Sequence, residues 1–339
     1  MALLSRRKSA PSKGFPNYAA LDMSGIVGLT EDRTKKLESI YHAAQKRAWD
    51  GREVLQKCIE QNGGIQLSRE KREAVASVFS IILWGELAAW IVSADLAERI
   101  EDIEAKMAAT SQTLDEARHF CVMRDYLREL GVPIPPLDPY SRLILREVLD
   151  AESVLFKLVG MQLLVENAAL AIFKMVGNAR VEPVLSDLMP YFERDEARHV
   201  GLGVNYLPAL MANLSTYEVT KLNIYQARLY TLLFWATMLL KKDFDVLGLD
   251  SNESTRFSLR LQVDIATQIG KFSTQERARK TGRAVYVEPE LLRKTHSFSI
   301  DAFQPRPGAH VPGWQRSVLN MAQTVARLGA RALDVADPA

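Results

Sequence analysis

Five consecutive residues, Asp-Glu-Ala-Arg-His, occur twice in this chain, at 115–119 and at 195–199. The two copies are offset by 80 residues, and a repeat of this length reads as internal duplication rather than chance. Each copy holds Glu-x-x-His: Glu116 with His119, and Glu196 with His199. On a helix, positions i and i+3 share a face, so a carboxylate and an imidazole can address one metal ion. Thirty residues before each of these glutamates stands another acid in apolar surroundings. Glu86 lies in Leu83-Trp-Gly-Glu-Leu-Ala-Ala-Trp and Glu166 in Leu163-Leu-Val-Glu-Asn-Ala-Ala-Leu. Equal spacing predicts two helical hairpins, each bringing its two acids to one level. The second hairpin should turn near Val181, beside Gly177-Asn178 and Pro183. The first should turn near Glu101, where no Gly or Pro marks it.

The rest of the chain agrees with an all-α fold, because helical spacing is common and β-branched alternation is scarce. One or more polar helices are predicted over 30–60, starting at a Thr30-Glu-Asp cap and ending in the turn Gln61-Asn-Gly-Gly. A long helix should start at Ser68. Further helices are expected over 103–130, 141–176, 182–212, 216–247 and 253–275, and a short amphipathic one over 315–333. Pro190 and Pro208 could kink the 182–212 helix. The arm before Leu29 reads as irregular. The chain divides into three segments: 1–70 as an N-terminal arm and helices, 71–250 as the di-metal helical unit, and 251–339 as a C-terminal extension. The run Ala74–Ala94 is long enough to span a bilayer, but Glu86 at its centre makes a buried core helix the expectation and no membrane span.

Composition excludes several classes. Hydrophobic residues are 47% and charged residues 25%, which is a globular mix. Only Cys58 and Cys121 occur, so disulfides are no main staple and a reducing, cytoplasmic setting is expected. Cys121 reads as a small buried hydrophobe. Trp84, Trp90, Phe120 and Phe173 are expected in core packing, with a substrate cavity as the alternative. Residues 21–250 carry 26 Lys/Arg against 33 Asp/Glu, which does not resemble a nucleic-acid footprint.

Two such hairpins would bring four Glu and two His together, with charge −4 to match two divalent cations. Buried without metal, four carboxylates would have to take protons or disrupt packing. On these residues the chain resembles the ferritin-like di-iron carboxylate superfamily, whose four-helix bundles carry one Glu on each of two helices and Glu-x-x-His on each of the other two. Asp-Glu-x-Arg-His is especially similar to bacterial multicomponent monooxygenase hydroxylases. Arg194-Asp-Glu-Ala-Arg-His-Val-Gly-Leu-Gly-Val also resembles ribonucleotide reductase small subunits and their ligand-binding oxidase relatives. The resemblance covers about residues 75–210. It implies a ferritin-like four-helix bundle with additional N- and C-terminal helices. It implies two iron ions, or a manganese–iron pair, held by Glu86, Glu116, His119, Glu166, Glu196 and His199, with Glu116 and Glu196 bridging. Asp115 and Asp195 would each bond the imidazole of the opposite motif, and Arg118 and Arg198 would balance those aspartates. Some positions depart from these relatives: Met123 stands where the radical Tyr is usual, Met161 and Ala88 where the oxidases crosslink Tyr to Val, and Leu170 where the hydroxylases carry Thr. The activity implied is dioxygen-dependent oxidation, such as hydroxylation, of a small apolar organic substrate. A ferroxidase and a radical-generating subunit are the alternatives. An electron-donating reductase and a second copy of the chain are the expected partners.

Overall fold

The computed structural model describes residues 32–250 apart from 213, together with 260 and 312–336. The expected irregular arm and almost all of the 253–275 helix lie outside the described residues. The described residues form helices and no strand. α1 (Asp32–Lys46) and α2 (Gly51–Asn62) replace the polar stretch, separated by a short link containing Trp49. Asp50 caps α2, accepting from the amides of Arg52 and Glu53, and Gly63 ends it at φ 66°. Gly51 is required by space: a Cβ there would overlap Val122 on α4, so α2 reaches the next helices only through glycine.

α3 (Arg69–Arg99) begins after the predicted cap Ser68 and makes a hairpin with α4 (Ile103–Glu129). The turn that carries no Gly or Pro is made by Ile100, which leaves the helix at ψ 130° and buries its side chain, and by Asp102, which caps α4 at the amide of Ala105. The predicted single helix over 141–176 is two helices: α5 (Pro139–Leu149) and α6 (Val154–Ala179). Asp150 and Ser153 end one and start the other, as residues that compete for backbone hydrogen bonds do. The Lys157 ammonium crosses the break to the carbonyl of Leu149 (2.8 Å) and pairs with Asp95 (3.2 Å).

Within α6, Val159–Val165 is π-helical, ending at Glu166. Two glycines make room for this wider turn. A Cβ on Gly160 would come within 2.7 Å of Val148 Cγ2, and one on Gly203 of α7 within 2.9 Å of Gln162 Cβ. The turn into α7 (Pro183–Met211) differs from expectation: Gly177 and Asn178 stay helical, and Arg180 makes the left-handed step at φ 47°. Glu182 caps α7 at the amides of Val184 and Leu185, with Pro183 at the first helical position. Pro190 and Pro208 are accommodated within that one helix. α8 (Thr216–Leu247) opens with a Ser215–Glu218 capping box and closes at Gly248. α9 (Gly313–Ala336) docks on α5 and α8, where the Tyr140 hydroxyl donates to the carbonyl of Ala326 (2.9 Å).

α3 pairs with α4, α6 with α7, and α4 meets α7 between the two pairs. α1 lies against α4 and α7, and α8 crosses α3 and α5. The apolar core falls into two main clusters. One holds Phe79, Ile82, Met123, Phe173 and Phe192; the other holds Ala88, Val92, Leu163, Leu164 and Leu202. On each of the four paired helices one cluster stops where the other begins, and the interval contains the acids and histidines of the repeat. α3 and α6 have the length and composition to cross a membrane, with 56% and 67% of their apolar windows buried inside the protein.

Candidate metal centre

Glu86 on α3, Glu116 and His119 on α4, Glu166 on α6, and Glu196 and His199 on α7 meet in that interval, all six buried. They form two overlapping groups, Glu86/Glu116/His119/Glu196 and Glu116/Glu166/Glu196/His199. Within each group the donor atoms lie within 4.8 Å of one another. Glu116 and Glu196 belong to both. His119 Nδ1 faces Glu86 Oε2 at 3.4 Å, Glu116 Oε2 at 3.5 Å and Glu196 Oε1 at 3.1 Å. His199 Nδ1 faces the other oxygens of the same two acids, Glu116 Oε1 at 2.9 Å and Glu196 Oε2 at 3.0 Å. Each shared carboxylate thus presents one oxygen to each histidine.

The far ring nitrogens point to the other hairpin. His119 Nε2 meets Asp195 Oδ2 at 3.3 Å, and His199 Nε2 meets Asp115 Oδ2 at 3.4 Å. Arg118 pairs with Asp115 and, at 3.0 Å, with Asp195; Arg198 reaches both aspartates at 2.8 Å. The four side chains form a cross-linked square behind the histidines. Each aspartate thus lies between one imidazole of the opposite hairpin and both arginines.

Four further residues escape sequence reasoning. Trp49 Nε1 donates to Asp195 Oδ2 (2.7 Å), and the Arg118 guanidinium lies 4.9 Å over its ring. Phe192 stacks on His119, with ring centroids 4.4 Å apart. Gln112 Nε2 donates to both Glu116 Oε1 (2.9 Å) and Glu166 Oε1 (2.8 Å), and Gln162 Nε2 donates to Gln112 Oε1 (3.1 Å). Gln112 and Gln162 each precede a site glutamate by four residues, a helical spacing that places them on its face. His42 is exposed on α1 beside Glu38, while His296 and His310 lie outside the described residues.

Electrostatics divide the acids. Burial drives Glu86 and Glu166 well above the carboxylate range, and the charges of Glu116 and Glu196 push Glu166 further. Burial also raises Glu116 and Glu196, but the facing imidazoles outweigh it and hold both low. Burial opposes charge on the histidines. Glu86 facing His119, and Glu116 and Glu196 facing His199, overcome it and keep both imidazoles protonated well above the usual histidine range. Glu116 Oε2, His119 Nδ1 and Glu196 Oε1 nevertheless have no hydrogen-bond partner, although buried. Orphaned donors and acceptors converging on one point are costly unless something else satisfies them. Oxygen and imidazole donors in this number fit a hard or borderline divalent cation.

No protein family matches the chain, and no curated protein matches it. The described residues are helical, without strands, and hold buried Glu/His clusters able to hold a metal ion.

Proposed function

We propose that the chain is a di-metal oxidase or oxygenase of ferritin-like build. In this reading α3, α4, α6 and α7 form the four-helix bundle, and α1, α2, α5, α8 and α9 are additions to it. The observation that carries the proposal is the sharing of Glu116 and Glu196 between two donor groups, each also holding its own Glu and its own His. One ion would take Glu86 and His119, and the other Glu166 and His199, with Glu116 and Glu196 bridging. Two iron ions, or manganese with iron, balance the four carboxylates. Bound there in reduced form, such a pair supplies the binding and reduction of dioxygen.

The protein's part is positioning and exclusion. Asp115 and Asp195 accept from the outer nitrogen of each imidazole, fixing the tautomer that leaves Nδ1 to the metal. Gln112 holds Glu116 and Glu166 in register with one amide group. Phe192 and the two apolar clusters keep water from the layer. Such dry walls favour a small apolar organic substrate, and Gln162 Oε1, buried without a partner, offers an acceptor to one polar group on it. Trp49 is half-buried and offers a docked reductase a hydrogen-bonded route, Trp49–Asp195–His119, for electrons.

Titration with ferrous iron in air tests the reading. Oxidised iron retained should level off at about two per chain, and Glu116→Ala with Glu196→Ala should abolish it. Further oxygen consumption should need a reductant and an apolar substrate. Retention of tens of ions in a soluble assembly would make the protein an iron store. Retention of one or none by the unaltered chain would end the di-metal proposal.

A further inference from the structure

α9 turns its bulk away from the protein. Its inward positions Ala326, Gly329 and Ala330 pack with Tyr140 of α5 and Ala236 of α8. A Cβ on Gly329 would overlap the Tyr140 hydroxyl, so the helix comes this close only through small residues. The large apolar side chains point the other way. Met321 is 62% exposed, Val325 47% and Leu328 57%. Steps of four and three residues set these three on one line of the helix, and exposed Ala332 continues it. One flank of the line is polar: Asn320, Thr324, Arg327 and Arg331 are exposed along it. Trp84 and Trp90 of α3, expected in the core, are also exposed, as is the free thiol of Cys121 on α4, but charges of both signs, such as Glu98 and Arg124, accompany them. The charge beside the α9 line has one sign. The helix carries Arg316, Arg327 and Arg331 against a single acid, Asp334, and Arg142 of α5 holds that acid at 3.0 Å.

We infer that α9 is a membrane-surface helix. It lays Met321, Val325 and Leu328 into the boundary between headgroups and acyl chains of an anionic bilayer, while Arg327 and Arg331 reach the lipid phosphates. Three arguments choose a lipid surface over a protein partner. The first is form. An apolar line with a cationic flank, on a helix lying flat against its own protein, is the pattern of interfacial helices. The arginine stems cover apolar surface while their guanidinium groups stay in the polar layer. The second is size. From Met321 to Ala332 the line runs eleven residue steps of about 1.5 Å on a helix about 10 Å wide, a footprint of roughly 170 Å². A stable protein complex buries roughly 800 Å² on each partner. A bilayer sets no such minimum, because shallow insertion and attraction of charge add as two weak signals. The third is sign. Arginines close to a membrane surface each gain from anionic headgroups. A second copy seated on the same line would offer them no acid, since the one acid of the helix is engaged by Arg142. The buried small residues fix α9 on the body, so the whole protein, and not a tethered helix, is what the membrane would hold. The inference does not depend on the metal reading.

Flotation of the full chain with vesicles in a density gradient tests it. The unaltered protein should float with phosphatidylcholine vesicles containing about 30% phosphatidylserine and stay behind with pure phosphatidylcholine. Raising salt to about 0.5 M should release most of it. Met321→Glu with Leu328→Glu should lower the vesicle-bound fraction about tenfold with unchanged helical circular dichroism, since both side chains are already exposed. Arg327→Glu with Arg331→Glu should lower it by a similar factor and abolish the salt dependence. Ile224→Glu, equally exposed (64%) on α8 but about two turns before the residues that α9 touches, should float like the unaltered protein. An unaltered chain that ignores anionic vesicles, or a Met321→Glu/Leu328→Glu variant that floats as well as it, would overturn the inference. So would an equal loss on Ile224→Glu, which would make the binding a general stickiness. A smaller mass of the Met321→Glu/Leu328→Glu variant in lipid-free sedimentation would make the line a contact between chains and overturn it too.

Discussion

Asp115 and Asp195 each hold a histidine and bridge two arginines, so their loss is felt twice. Asp195→Ala should weaken metal binding by about 10–100-fold, measured by competition with a chromophoric chelator. Trp49→Phe keeps the ring and removes one hydrogen bond, so it should move affinity in the same direction by less. The histidines make a second expectation. Without metal, folded protein keeps protons on His119, His199, Glu86 and Glu166 at pH values where the unfolded chain has released them. Stability therefore falls as pH rises from the ordinary carboxylate and histidine ranges through the raised values. Glu116 and Glu196, held low, are ionised in both states across this window and add no slope. Melting temperature of the metal-free protein should drop steadily between about pH 6 and pH 9, and metal loading should remove the slope and release protons. A melting temperature that rises with pH over this span would contradict the assignment of charges.

The elements show why a π turn sits beside Glu166. An ordinary α-helix over 154–179 would carry Gln162 and Glu166 on a fixed spiral; the extra residue per turn re-aims the side chains beyond it. The wide turn is accepted because Gly160 and Gly203 leave no Cβ where Val148 and Gln162 lie. Gly203→Ala should push Gln162 and with it the π segment, costing about 1–3 kcal/mol of stability. Since Gln162 orients Gln112, and Gln112 bonds Glu116 and Glu166, the variant should also lose affinity at the Glu166/His199 group more than at the Glu86/His119 group. Equal losses at both groups, resolved by stepwise metal titration, would mean the glycine serves packing alone.

For the whole molecule, the polar layer divides the apolar core, and each half is closed by segments distant in sequence. α9 illustrates this: it covers Tyr140 and Trp235 and pairs Asp334 with Arg142 (3.0 Å), far from the acids. Removal of residues 313–339 should lower the melting temperature by several degrees while leaving metal content per chain unchanged. The grouping of the four glutamates and two histidines was legible in the sequence because a helix repeats every 3.6 residues, whereas the places of Asp115, Asp195, Arg118 and Arg198 were implied only by the resemblance. Glu-x-x-His shares a face wherever it occurs, and two hairpins with equal arms must bring their acids level. The helix start at Ser68 was legible for a similarly local reason, since a cap bonds its own next turn. The α5–α6 break and the Ile100–Asp102 turn were not, because helix formers such as Glu98, Arg99, Ala151 and Glu152 run through both places and no Gly or Pro marks a stop. Trp49 reaches Asp195 across 146 positions and Gln112 reaches Glu166 across 54. No periodicity links such pairs. Nor did composition reveal that Trp84, Trp90 and Cys121 face outward: an apolar residue is equally apolar on either side of a helix, and its direction is set by which neighbours the other helices provide. Local spacing thus determined which donors could share a metal. Tertiary contact alone decided which side chains orient them and which apolar residues of their helices stand exposed among the described residues.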